Sequence, residues 1–87
     1  MKLLGIQKLA ALKGKSDRLD RWISSWVSEL THANWKRITD VSEQFPSVVV
    51  APGDVYLFSV ENTGIELRLK IAFVQGIAII IELSEKS

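Results

Sequence analysis

The chain reads as a single α+β domain in which N-terminal helices pack on a small antiparallel β-sheet. Three observations predict it. Leu19, Trp22, Ile23, Trp26, Val27 and Leu30 recur at i, i+3, i+4, i+7, i+8 and i+11, one continuous stripe on a helix. Further on the period falls to two: Ile65, Leu67, Leu69, Ile71 and Phe73 alternate with Glu66, Arg68, Lys70 and Ala72. The helical patterns precede the strand patterns, the order of segregated layers. Eighty-seven residues hold one core, so residues 1–87 form one domain.

Each element follows from local chemistry. Lys2 to Leu4 suits a short strand. Ile6, Leu9 and Ala10 fall at helical spacing, and Lys13-Gly14 closes a first short helix over about 5–13. Ser16 is an N-cap, and Asp17 in the first turn favours the dipole of the long helix that follows. Asn34 caps a further short helix with Trp35, Ile38 and Val41 inward and Lys36 and Arg37 outward. Phe45-Pro46 ends it, since proline disfavours helical geometry in the residue before it. Val48 to Ala51 is extended and Pro52-Gly53-Asp54 a turn. Val55 to Val60 is a strand, Glu61 to Gly64 a hairpin loop, and Ile65 to Val74 the amphipathic strand. Gln75-Gly76 turns into Ile77 to Leu83, whose isoleucines do not alternate with polar residues. That strand is either buried on both faces or leaves one face for a partner.

Composition excludes several chemistries. There is no cysteine, hence no disulfide and no thiolate metal site. With one histidine, no Ser-His-Asp set stands out, the glycines stand singly rather than in a phosphate loop, and no constellation supports a metal or cofactor. The apolar runs are too short for a membrane helix, and Gln7 and Lys8 interrupt the N-terminal run that would otherwise suggest a signal peptide, so a cytoplasmic location is expected. Charge is uneven. Residues 1–37 carry eight Lys/Arg against three acids, while residues 38–87 carry three against seven. The basic half admits a polyanion, and the acidic half a basic or apolar partner.

The two faces of the Ile65–Phe73 strand differ. One is apolar and needs the helices as cover. The other presents Arg68 and Lys70 at i, i+2, either as a solvated face with Glu66 and Arg68 loosely paired or as an anion-binding face.

An ordered set of residues resembles the HigB-type toxins of bacterial toxin–antitoxin pairs. Trp26, Glu29, Ala33 and Trp35, then Asp40-Val41, then Phe45-Pro46-Ser47, follow that family's helix tryptophan, Ala-Asp-Trp, Asp-Val and Phe-Pro-Ser boxes. Tyr56-Leu57-Phe58-Ser59-Val60 is similar to its Val-Phe-Asn-Ile strand, and Glu66-Leu67-Arg68-Leu69 to its Glu/Lys-Leu/Tyr-Arg-Leu strand. The likeness covers roughly residues 20–73. It implies the RelE-like fold and metal-free cleavage of messenger RNA, usually on the ribosome, with neutralisation by a cognate antitoxin protein. In such cleavage the 2′-hydroxyl attacks its own phosphate, and the protein supplies cations and proton transfer. Arg68 is the position carried over most directly, with Lys70 beside it on the same face as the second catalytic candidate. Lys8, Lys13, Lys15, Lys36 and Arg37 are the candidates for holding RNA backbone.

The departures are equally specific. Where the family ends its last strand in Tyr-Ile-Arg and continues into a Thr-His tail, this chain reads Ile80-Ile81-Glu82 and then Ser84-Glu85-Lys86-Ser87. The arginine and histidine are absent, and His32, near the end of the long helix, does not replace the latter. Two functions are therefore expected of this sequence: a HigB-like mRNA endonuclease or a weakened form of one, or a degenerate, catalytically inactive toxin-fold module that binds RNA or a protein. The isoleucine-rich Ile77–Leu83 strand adds an expectation of self-association.

Overall fold

The long helix α1 (Asp17–His32) sets the layer that covers the sheet. Ser16 is its N-cap, with Oγ accepting the Leu19 N–H at 3.1 Å. Leu19, Ile23, Trp26 and Leu30 are its buried residues, so the stripe read from the sequence is the face that packs. The computed structural model describes residues 1–60 and 63–85; Glu61 and Asn62 of the expected hairpin loop lie outside the described residues.

Five strands form one sheet in the order β1-β5-β4-β3-β2: β1 (Lys2–Leu4), β2 (Val49–Ala51), β3 (Val55–Val60), β4 (Ile65–Ala72) and β5 (Ile77–Glu85). β2 to β5 run as the expected antiparallel meander. β1, however, pairs parallel to β5, so the sheet is mixed rather than wholly antiparallel. The reason is topological. A chain that enters through β1 and crosses the helical layer returns only at β2, leaving the free edge of β5 as the slot beside it.

The first short helix is 3₁₀ (Ile6–Leu12) and buries Leu9 and Leu12. The next helix differs from expectation. It starts at Ile38, not after Asn34, and runs to Gln44 as α2. The Asp40 carboxylate accepts the Lys36 and Arg37 N–H groups at 2.8 and 3.2 Å, which holds those residues outside the helix. Trp35 and Val41 are buried as expected, but Ile38 is not inward; it lies exposed on the first turn. The Trp35 indole N–H instead ties the preceding loop to α2 through Gln44 Oε1 at 3.0 Å.

The core lies between α1, the 3₁₀ helix and one face of the sheet. β3 contributes Tyr56, Phe58 and Val60, β4 contributes Leu67, Leu69 and Ile71, and β5 contributes Ala78 and Ile80. Among the described residues no charged side chain is buried, so burial of apolar area is the main stabilising term.

Candidate functional site

The face of the sheet away from the helices is the candidate site, and strand register fixes its composition. Along β4, Glu66 stands between Ser59 and Ser84, Arg68 between Leu57 and Glu82, Lys70 between Val55 and Ile79, and Ala72 beside Ile77. β1 adds Lys2 beside Ile77 and Leu4 beside Ile79, and β2 adds Val49 beside Leu57. Leu4, Val49 and Ile79 are exposed. The face therefore mixes apolar ground with three cations and two carboxylates.

At its centre the Arg68 guanidinium meets Glu82, with Nε and Oε1 3.4 Å apart and both side chains about half exposed. Of the two readings of this face, the solvated one paired Arg68 loosely with Glu66 on its own strand, whereas the ion pair observed runs across the sheet to Glu82. The cause is a β-bulge. Lys70 pairs with Ile79 and Leu69 with Ile80, but Arg68 pairs with Glu82, so Ile81 is skipped. A regular ladder would set Ile81 against Arg68; the extra residue sets a carboxylate there. The bulge also resolves the isoleucine run. Ile80 goes to the core and Ile79 to the open face, and of the two expectations for this strand the one with a face left over is realised.

Lys8 belongs to the same region. Its Nζ donates to the carbonyl of Ile81, the bulged residue, beyond the end of β1. Lys70 is exposed and makes no ion pair among the described residues.

The remaining basic residues do not converge. Lys13 and Lys15 flank Gly14 ahead of α1, whereas Lys36 and Arg37 lie beyond its other end. Sixteen helical residues separate the two groups, a span of about 24 Å. The Met1 amino group, bonded to the carbonyls of Leu30, Thr31 and Ala33, fixes the end of α1 beside the start of β1. His32 is exposed there, its Nδ1 2.8 Å from the Ser28 carbonyl oxygen, remote in sequence and register from Arg68.

No protein-family model matches the chain, and no curated protein matches it significantly. No helix among the described residues is long and apolar enough to cross a membrane, and no three His, Asp or Glu side chains gather there as a metal site would require.

Sequence reasoning missed Glu82 as a member of the site, because alternation counted from Ile77 gives Glu82 the wrong face. The signal available was the run of three isoleucines, which no regular half-buried strand explains.

Proposed function

We propose that this chain is a HigB-like toxin-fold module that binds a protein partner through its open sheet face and does not cleave RNA. The observation that carries this reading is the Arg68–Glu82 pair. Cleavage without a metal needs cations aimed at the charge developing on phosphorus. A carboxylate 3.4 Å from the guanidinium compensates that cation and repels an incoming phosphate. By the resemblance, Glu82 stands where the family's last strand carries arginine, so the position has changed sign.

The rest of the face supports a protein partner. Leu4, Val49, Leu57, Ile77 and Ile79 supply apolar area, and Lys2, Arg68 and Lys70 are nearly balanced by Glu66 and Glu82. Such a surface resembles a protein interface more than a polyanion groove. The two separated basic groups argue the same way.

The decisive experiment expresses the chain from a tight promoter and maps the 5′ ends of cellular mRNA, beside Arg68→Ala. Unchanged growth and unchanged ends, with soluble protein present, are expected. Growth arrest with new in-frame ends, both lost in Arg68→Ala, would instead establish the ribosome-dependent mRNA endonuclease acting through Arg68 and Lys70. For the binding role, co-purification with the product of the adjacent reading frame, the place of a cognate antitoxin, is expected and should be lost in Ile79→Glu. Retention of that complex in Ile79→Glu would place the interface elsewhere.

A further inference from the structure

The open face carries its charges in an order that fits a copy of itself. Register sets its residues in rows across the strands. One row holds Ile79 on β5 and Lys70 on β4, continued by Leu4 on β1 and Val55 on β3. The next holds Glu82 on β5 and Arg68 on β4, continued by Leu57 on β3. Ile77 and Ala72 lie on one side of these rows, Ser84 and Glu66 on the other. Opposite charges thus share one row on adjoining strands, and exposed apolar side chains stand beside them.

Such a face is self-complementary about one axis. Two copies laid face to face are related by a two-fold axis lying between them. If that axis follows the seam of β4 and β5, each β4 covers the β5 of the other copy and every row keeps its place. Arg68 then stands over Glu82 of the second copy, and Glu82 over its Arg68. Ile79 lies on the aliphatic stem of the second copy's Lys70, and Leu4 on its Val55. Ile77 meets Ala72, Glu66 meets Ser84, and Lys2 reaches the turn that carries the exposed Asp54. No like charges oppose. An axis across the strands instead faces each strand with itself and sets Lys70 over Arg68 or Lys70 of the second copy, a repulsive contact.

The central pair has capacity for this exchange. A guanidinium carries five N–H donors, more than the Glu82 carboxylate of its own chain takes up, so Arg68 can serve a second carboxylate. Four strands overlap, about 19 Å across and about 25 Å along, which covers about 1,000 Å² in total over both copies. That is the lower limit for a specific interface, so the complex is weak and reversible. We propose that the open face pairs with a second copy of this chain, as a symmetric sandwich in which Arg68 and Glu82 are exchanged between copies. The inference rests on the reading of that face as a protein interface, and it names the occupant when no other partner is present.

Sedimentation velocity of the full chain from about 10 μM to about 1 mM tests it, with a monomer–dimer midpoint expected in that range. Arg68→Glu opposes carboxylate to carboxylate and Glu82→Arg opposes guanidinium to guanidinium, so each variant alone should dimerise roughly tenfold more weakly or worse. Mixed in equal amounts the two should regain the dimer, because every charge contact between them is again of opposite sign. Circular dichroism checks that each is folded; where one is not, Ile79→Lys, set against the second copy's Lys70, replaces it and should also weaken the dimer. A wild type monomeric at the highest concentration, variants that dimerise as well as the wild type, or a mixture no better than its components would each overturn the proposal. Co-purification with the product of the adjacent reading frame is scored separately. A monomeric chain that still gives that complex loses only the second copy as occupant, and the protein-interface reading stands.

Discussion

Arg68 and Glu82 face each other across β4 and β5 at 3.4 Å, and they do so because Ile81 is left out of the ladder between them. An irregularity of one residue thus decides the charge of the centre of the open face. Both side chains are about half exposed, so solvent screens the pair. Arg68→Ala and Glu82→Ala should each lower stability by less than about 1 kcal/mol, with a coupling of about 0.2–1 kcal/mol in a double-mutant cycle by urea denaturation. A larger loss would mean that the pair organises the fold, and the expression test with Arg68→Ala would then need a milder variant.

Removing one isoleucine from Ile79-Ile80-Ile81 should be tolerated. The shortened strand still offers an open-face residue, a core residue and then Glu82, now in a regular ladder with Glu82 against Arg68. The Lys8 contact to the bulged carbonyl would be lost. A folded spectrum retaining the amide-to-amide contacts between Leu67 and Leu83 is the expected outcome. Collapse of those contacts would show that the bulge, rather than the charge it delivers, is what the fold requires.

Gly5 and Gly53 both sit at positive φ, at 83° and 80°, but their surroundings differ. A Cβ on Gly5 would lie 2.9 Å from the Ile80 carbonyl oxygen, while one on Gly53 would meet nothing within 4 Å. Gly53→Ala should cost about 1–2 kcal/mol through backbone conformation alone. Gly5→Ala should exceed it, because backbone on β5 must also move. Equal denaturation midpoints for the two variants would contradict this.

Tyr56, the protein's single tyrosine, is buried in the core, edge-on to Phe73. Burial raises its phenol above the ordinary value of 10.0, and the nearby Asp54 charge adds to the shift. The folded state therefore holds this proton more tightly than the unfolded one. Its contribution to stability is complete below pH 10.0 and is lost as pH rises through the folded value. Phenolate absorbance should appear only above that pH, and the fall in stability there should flatten in Tyr56→Phe. Ordinary titration near pH 10.0 would contradict the burial argument.

The elements that sequence reading placed well are those whose signals are local. Ser16 caps α1 because its hydroxyl reaches an N–H three residues on, and the Leu19–Leu30 stripe is buried because its spacing matches the helix. β3 and β4 follow from alternation. The α2 boundary was misread because the Lys36 and Arg37 N–H groups are satisfied by Asp40 from within the helix, so the chain after Asn34 stays outside it. Ile38 was misplaced with it.

By itself, then, the sequence determined an α+β domain, the buried stripe of α1 and the presence of Arg68 and Lys70 on one strand face, all consequences of spacing along a single element. Tertiary structure alone decided that β1 joins β5 in parallel, that Glu82 meets Arg68, and that Lys8 reaches the bulge. These depend on register and docking between segments distant in the chain, where one bulged residue exchanges the neighbours of every side chain beyond it.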